Sequence, residues 1–197
     1  MIREASYHRL KWILGIVIVA LGLVWTVRLN LIEIANGSTA PQTVEASKLR
    51  NVDYFSDFSM ETMDGDTFTQ EDLAGYEITV FNVWQPYCAS CLKEMPEVDE
   101  LAAELKDQGI QIVNINGYAY TSPEDNELAY TQMTERNIAM PKLMADQAFS
   151  EELLPVLADA FPGTFVVDSE GVILDFVSGS RTKDAWREYF LQFAGED

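Results

Sequence analysis

Cys88 and Cys91 are the only cysteines of this 197-residue chain, and they stand three apart in Phe81-Asn82-Val83-Trp84-Gln85-Pro86-Tyr87-Cys88-Ala89-Ser90-Cys91. A dithiol at this spacing can open and close a disulfide. The run before it is apolar and strand-like, and the run after it has helical periodicity. At a helix start the unpaired amides and the helix dipole stabilise a thiolate, which makes the pair a candidate redox centre. A bond across two intervening residues closes too small a loop to staple distant elements, so a disulfide framework is not expected. A metal site is not expected either. Zinc usually takes four Cys, His or carboxylate ligands, and the single histidine, His8, lies far from the pair in the sequence.

The elements that must position the pair follow from the apolar pattern. Glu77 to Trp84 predicts a buried strand, with Glu77 at its exposed start. Ser90 to Lys106 predicts a helix whose stripe is Leu92, Met95, Val98, Leu101, Ala102 and Leu105, with a kink at Pro96. Ile110 to Asn116 predicts a second strand. Ser122-Pro123-Glu124-Asp125 reads as a cap, with proline and acids in the first turn of a helix running to Arg136 and ended by Asn137. Lys142 to Ala145 is a short strand candidate, and Glu151 to Leu157 a helical patch. Thr164 to Asp168 and Val172 to Val177 flank Ser169-Glu170-Gly171 as a hairpin, and Lys183 to Ala194 closes the chain as a helix. Upstream, Phe55 to Met63 and Thr67-Phe68 flank Asp64-Gly65-Asp66 as a smaller hairpin, followed by a short helix at Thr69 to Leu73. This order describes an α/β fold, a mixed sheet with helices on both faces and a right-handed first crossover. Cys88 then falls at the C-terminal end of a strand, where such sheets keep their chemistry.

Four features carry a resemblance: Trp84 four residues before the first cysteine, Cys88-Ala89-Ser90-Cys91, the continuing helix Leu92-Lys93-Glu94-Met95-Pro96, and the later Phe161-Pro162-Gly163-Thr164-Phe165. Over residues 52–195 the chain resembles the thioredoxin superfamily, and within it the membrane-anchored TlpA/ResA-like branch. The resemblance implies a thioredoxin-like fold with an N-terminal hairpin extension and an N-terminal transmembrane helix. It also implies thiol-disulfide oxidoreductase activity with no cofactor beyond the redox-active disulfide. Cys88 would be the exposed attacking thiolate and Cys91 the buried resolving thiol. Pro162 matches the family's cis-proline, which presents backbone to the substrate. Glu94 shares a helical face with Cys91, where the branch keeps an acid that influences the proton chemistry of the pair. Asn82 stands at the position of the buried aspartate of ordinary thioredoxins. Trp84, Tyr87, Phe161 and Gly163 would form the substrate groove. Tyr87 replaces the family's usual tryptophan, and Phe161 replaces its usual small residue, which narrows or greases the groove.

The branch implies reduction of disulfides in exported or surface proteins, with electrons drawn from a CcdA/DsbD-type membrane donor. Apocytochrome c and methionine sulfoxide reductases are possible clients. A disulfide-forming oxidase of the same fold is the alternative reading. A thiol peroxidase needs a Thr and Arg pattern that does not accompany Pro86, and a redox-inert binding domain would leave the cysteine pair without a task.

The flanks agree with that placement. Trp12 to Val27 is uncharged, and Leu29, Leu31 and Ile32 extend it, so residues 12–32 read as a membrane anchor. Arg3, Arg9 and Lys11 before it predict a cytoplasmic segment 1–11 and a domain on the outer side. A cleaved signal peptide is the competing reading. Residues 33–51, with Asn36-Gly37-Ser38-Thr39-Ala40-Pro41, read as a linker to the domain at 52–197. The chain's net charge is −19; residues 33–197 hold nine basic and thirty-one acidic side chains, a net of −22. So acidic a surface repels nucleic acid, which is not an expected partner.

Overall fold

The computed structural model describes residues 49, 52–158 and 160–195, all within the compact unit Gln42–Asp197. The expected N-terminal segment 1–11 and anchor 12–32 lie outside the described residues, as does all of the linker but Leu49. Among the described residues no helix is long and apolar enough to cross a membrane.

Five strands form the main sheet: β3 (Ile78–Trp84), β4 (Ile110–Asn116), β5 (Lys142–Met144), β6 (Gly163–Asp168) and β7 (Ile173–Ser178). Their order is β5-β4-β3-β6-β7. β3, β4 and β5 run parallel, while β6 is antiparallel to β3 and to β7. Every residue of the central β3 is buried, because both faces of a central strand are covered. Its side chains alternate between two layers. Ile78, Val80 and Trp84 meet Met95, Val98 and Leu101 of α1 (Ala89–Leu105), Met133 of α2 (Asn126–Glu135), and Trp186 and Phe190 of α5 (Lys183–Phe190). Phe81 and Val83 meet Phe55, Phe149 of α3 (Gln147–Glu152) and Leu157 of α4 (Leu154–Leu157). The Phe55 and Phe81 rings stack there, with centroids 4.3 Å apart. The smaller hairpin, β1 (Ser59–Glu61) with β2 (Thr67–Thr69), is antiparallel. It covers the outer edge of the sheet through a Thr62–Leu143 bridge, a bond from the Met63 N–H to the Lys142 carbonyl (2.7 Å) and a Lys142–Asp64 ion pair (2.7 Å).

Several boundaries differ from the pattern-based expectation. α1, with Pro96 inside it, starts one residue before the expected Ser90 and ends one before the expected Lys106. The Ser122 side chain makes no capping bond; Pro123–Asp125 form a 3₁₀ turn and α2 starts at Asn126. The Asn126 amide instead donates to the Ala119 carbonyl (3.1 Å) and its oxygen accepts from Asn116 (3.2 Å). α2 ends before Asn137, which takes a left-handed φ of 54°. The helical patch begins early, because Asp146 caps α3 through the Phe149 N–H (2.7 Å), and it divides into α3 and α4 at Leu153. α5 ends at Phe190, although Phe193 still packs against the core.

Candidate redox site

Cys88 follows the end of β3 and is the N-cap of α1. Its Sγ accepts the Cys91 N–H at 3.2 Å, and the Ser90 hydroxyl lies 3.3 Å from the same sulfur. The loop before it is held by three bonds. The Cys88 N–H donates to the Gln85 carbonyl (3.1 Å), the Tyr87 N–H to Gln85 Oε1 (2.7 Å), and Gln132 of α2 to the Pro86 carbonyl (3.0 Å). Cys88 and Cys91 are joined by a disulfide. Cys88 keeps 8 % of its surface and Cys91 1 %, so an outside thiol reaches Cys88 first. Once the bond is reduced, the N–H on Cys88 Sγ favours the thiolate there, as at other helix starts.

One turn along the helix, Glu94 is 5 % exposed. Its Oε2 accepts the Arg181 N–H (3.1 Å) and the Trp186 indole N–H (3.4 Å), while Oε1 has no partner among the protein atoms. Burial pushes the Glu94 carboxyl up to about 7, with a smaller push from Glu97; the Arg181 N–H, the Trp186 indole and the Asn82 amide pull against it. A carboxyl that exchanges its proton near neutrality suits acid–base work on a thiol. Asn82 is buried on β3 and donates to Thr164 across the sheet (3.3 Å).

The Phe161–Pro162 peptide bond is cis, and the Pro162 carbonyl accepts the Gly179 N–H at 2.8 Å. Phe161 is half-buried, touches both core layers and meets the Tyr118 ring edge-on at 5.4 Å. Tyr87 is 67 % exposed, and its hydroxyl donates to Asp125 at 2.7 Å. Two of the expected groove residues are not at the surface. Trp84 is wholly buried, being in phase with Ile78 and Val80 under α1. Gly163 is buried as the first residue of β6, paired with Val83 and Ser178. A Cβ there would come within 2.8 Å of Leu157. Four residues that the sequence reading did not assign to the site complete the surroundings: Asp125 on Tyr87, Gln132 on the loop, and Arg181 and Trp186 on Glu94. Only the cation and aromatic character of the last two was visible beforehand, since their contact with Glu94 spans 87 and 92 residues of chain.

The profile of the AhpC/TSA family matches residues 53–176 of this chain. The chain belongs to the AhpC/TSA family. It is 26% identical over 180 residues to the thioredoxin-like protein YneN of Bacillus subtilis (strain 168), covering 88% of this chain and 92% of the relative. It is 33% identical over 135 residues to the thiol:disulfide interchange protein DsbE of Pseudomonas fluorescens biotype C, covering 68% of this chain and 70% of that one. Among solved structures, StoA from Bacillus subtilis superposes with a TM-score of 0.57 over 70% of this chain and 98% of its own. At 17% identity that likeness speaks for the fold alone. With its thioredoxin-like fold and its disulfide at the start of α1, this member of the family is a thiol-disulfide oxidoreductase. Among the described residues no group of His, Cys, Asp and Glu side chains is arranged to hold a metal ion.

Proposed function

We propose that this chain is a membrane-tethered reductase of disulfides in exported or surface proteins. The observation that carries the reading is the asymmetry of the pair: Cys88, which caps α1, keeps some surface, whereas Cys91 keeps almost none and stands one helical turn from a buried carboxyl. In the reductive cycle the Cys88 thiolate attacks a client disulfide, forms a mixed disulfide and releases one client thiolate. Cys91 gives its proton to the Glu94 carboxylate, and its sulfur then displaces the second client thiolate from Cys88. The two client thiolates take up protons, the client gains two electrons, and the Cys88–Cys91 disulfide is formed. Pro162, whose peptide bond is cis, presents backbone to the client, while Tyr87 and Phe161 supply the aromatic walls of its groove.

The uncharged run 12–27, extended by Leu29, Leu31 and Ile32, supports an anchor over residues 12–32 with residues 1–11 in the cytoplasm and the domain outside. A tethered enzyme is best re-reduced by a membrane donor of CcdA/DsbD type. Apocytochrome c and methionine sulfoxide reductases fit as clients because each presents reducible cysteines outside the cytoplasm.

The deciding measurement is the equilibrium potential of Cys88–Cys91 in the full chain held in detergent, titrated against dithiothreitol, with Cys88→Ala as control. A value of about −250 mV or lower is expected for a reductase, whereas one near about −120 mV assigns the chain to disulfide formation. Consumption of peroxide by a Cys91→Ser variant at the parent's turnover would instead assign it to peroxide reduction.

A further inference from the structure

The loop from Gly179 to Thr182, between β7 and α5, is bonded at three places. The Gly179 N–H donates to the Pro162 carbonyl, the Arg181 N–H to Glu94 Oε2, and Thr182 Oγ1 accepts the Ala185 N–H to cap α5. The Arg181 side chain makes no ion pair with Glu94 and rests on two rings, its guanidinium carbon 5.1 Å from the Trp186 centroid and 5.4 Å from that of Tyr189. Two buried atoms of opposite sense are thereby left without partners: the acceptor Glu94 Oε1 and the donor Arg181 Nε. They belong to residues already joined through the Arg181 peptide N–H. A protonated carboxyl can stay in such a place, but an ionised one is costly without a counter-charge.

We propose that Arg181 is the counter-ion that Glu94 recruits when its carboxyl ionises, its guanidinium leaving the aromatic faces to bond Oε1. Arg181 is then a positioning residue: it touches neither cysteine but holds the group that takes the Cys91 proton. The other groups facing Glu94 cannot do this. Cys91 and Glu97 on its own helix are neutral or acidic, Asn82 from β3 is neutral, and Trp186 from α5 already serves Oε2. In the disulfide state, with Glu94 carrying the proton, the guanidinium rests on the rings; in the dithiol state, with Glu94 ionised, it turns inward. The inference rests on the proton-acceptor role proposed for Glu94. The same four-residue loop reaches Pro162, so the residue that serves the acceptor is carried by the segment that braces the client-binding peptide.

The test follows the Glu94 ionisation midpoint in the full chain in detergent, read from the infrared band of the protonated carboxyl and assigned by its loss in Glu94→Gln. Arg181→Gln, which keeps the peptide N–H, is expected to raise that midpoint by about one pH unit, a tenfold change in proton affinity. Arg181→Lys is expected to restore most of it. A midpoint unmoved in folded Arg181→Gln overturns the proposal, whatever happens to its thermal stability. Should that variant not fold, a crystal structure of the parent above pH 8 decides: guanidinium on Oε1 supports the assignment, and guanidinium still on the rings overturns it. The acceptor role fails separately, if client reduction by Glu94→Gln keeps the parent's pH profile.

Discussion

Glu94 links the chemistry of the site to the stability of the fold. In the folded chain it keeps its proton up to about pH 7, whereas an ordinary glutamate releases it near 4.5. Between those values the folded state binds more protons than the unfolded one. The stability tied to this group is fully present below 4.5 and is lost as the pH rises to about 7. The whole effect amounts to about 3 kcal/mol. Urea unfolding of the oxidised chain at pH 5 and pH 8 is expected to show the parent losing about 2 kcal/mol more than Glu94→Gln over that interval. Equal losses would mean that Glu94 is already ionised in the folded chain at pH 5. At this scale the cysteine pair was legible, because spacing, strand and helix all converge on it. Trp84 was misplaced although its phase with Ile78 and Val80 assigns it to the face under α1. Arg181 had no local signal, for its meeting with Glu94 is made by the packing of α5 on α1 and by no motif.

At the scale of elements, the β6–β7 hairpin shows how a turn residue can bind two layers together. Asp168 Oδ1 accepts the N–H groups of Glu170 and Val172, both at 2.9 Å, and Gly171 follows with a φ of 88°. That conformation favours glycine, and here a Cβ would also run into the Phe55 carbonyl. Gly171→Ala is therefore expected to destabilise the chain by about 3 kcal/mol in urea unfolding, without moving the potential of the cysteine pair. A loss under about 1 kcal/mol would mean that the Phe55 segment yields readily. The hairpin was legible because alternating strands around Ser169-Glu170-Gly171 leave little else to form. The start of α2 was not. Ser122-Pro123-Glu124-Asp125 has the composition of a cap, but the bonds that set this turn come from Asn126 to Asn116 and Ala119, which sequence proximity does not reveal.

For the whole molecule, the order of strands and helices was enough for a mixed sheet with helices on both faces, the thioredoxin-like form was implied by the resemblance, and the layer each side chain joins followed from the structure. The acidic balance of residues 33–197 suits a domain kept soluble beside a membrane. The proposed orientation gives a direct expectation for intact bacterial cells expressing Cys91→Ser, in which Cys88 is the sole thiol of the chain. A membrane-impermeant maleimide should label it without cell lysis, and labelling only after lysis would place the domain inside. One consequence of the Cys88 cap lies in descent. The sulfur that would attack a client is also the acceptor that starts α1, so a lineage relieved of its redox duty is not free to put any residue at position 88. Serine, aspartate or asparagine would keep the helix start and leave an intact, silent fold, while alanine would cost about 1 kcal/mol at once. Retired copies of this chain should therefore accumulate oxygen-bearing caps where the sulfur stood.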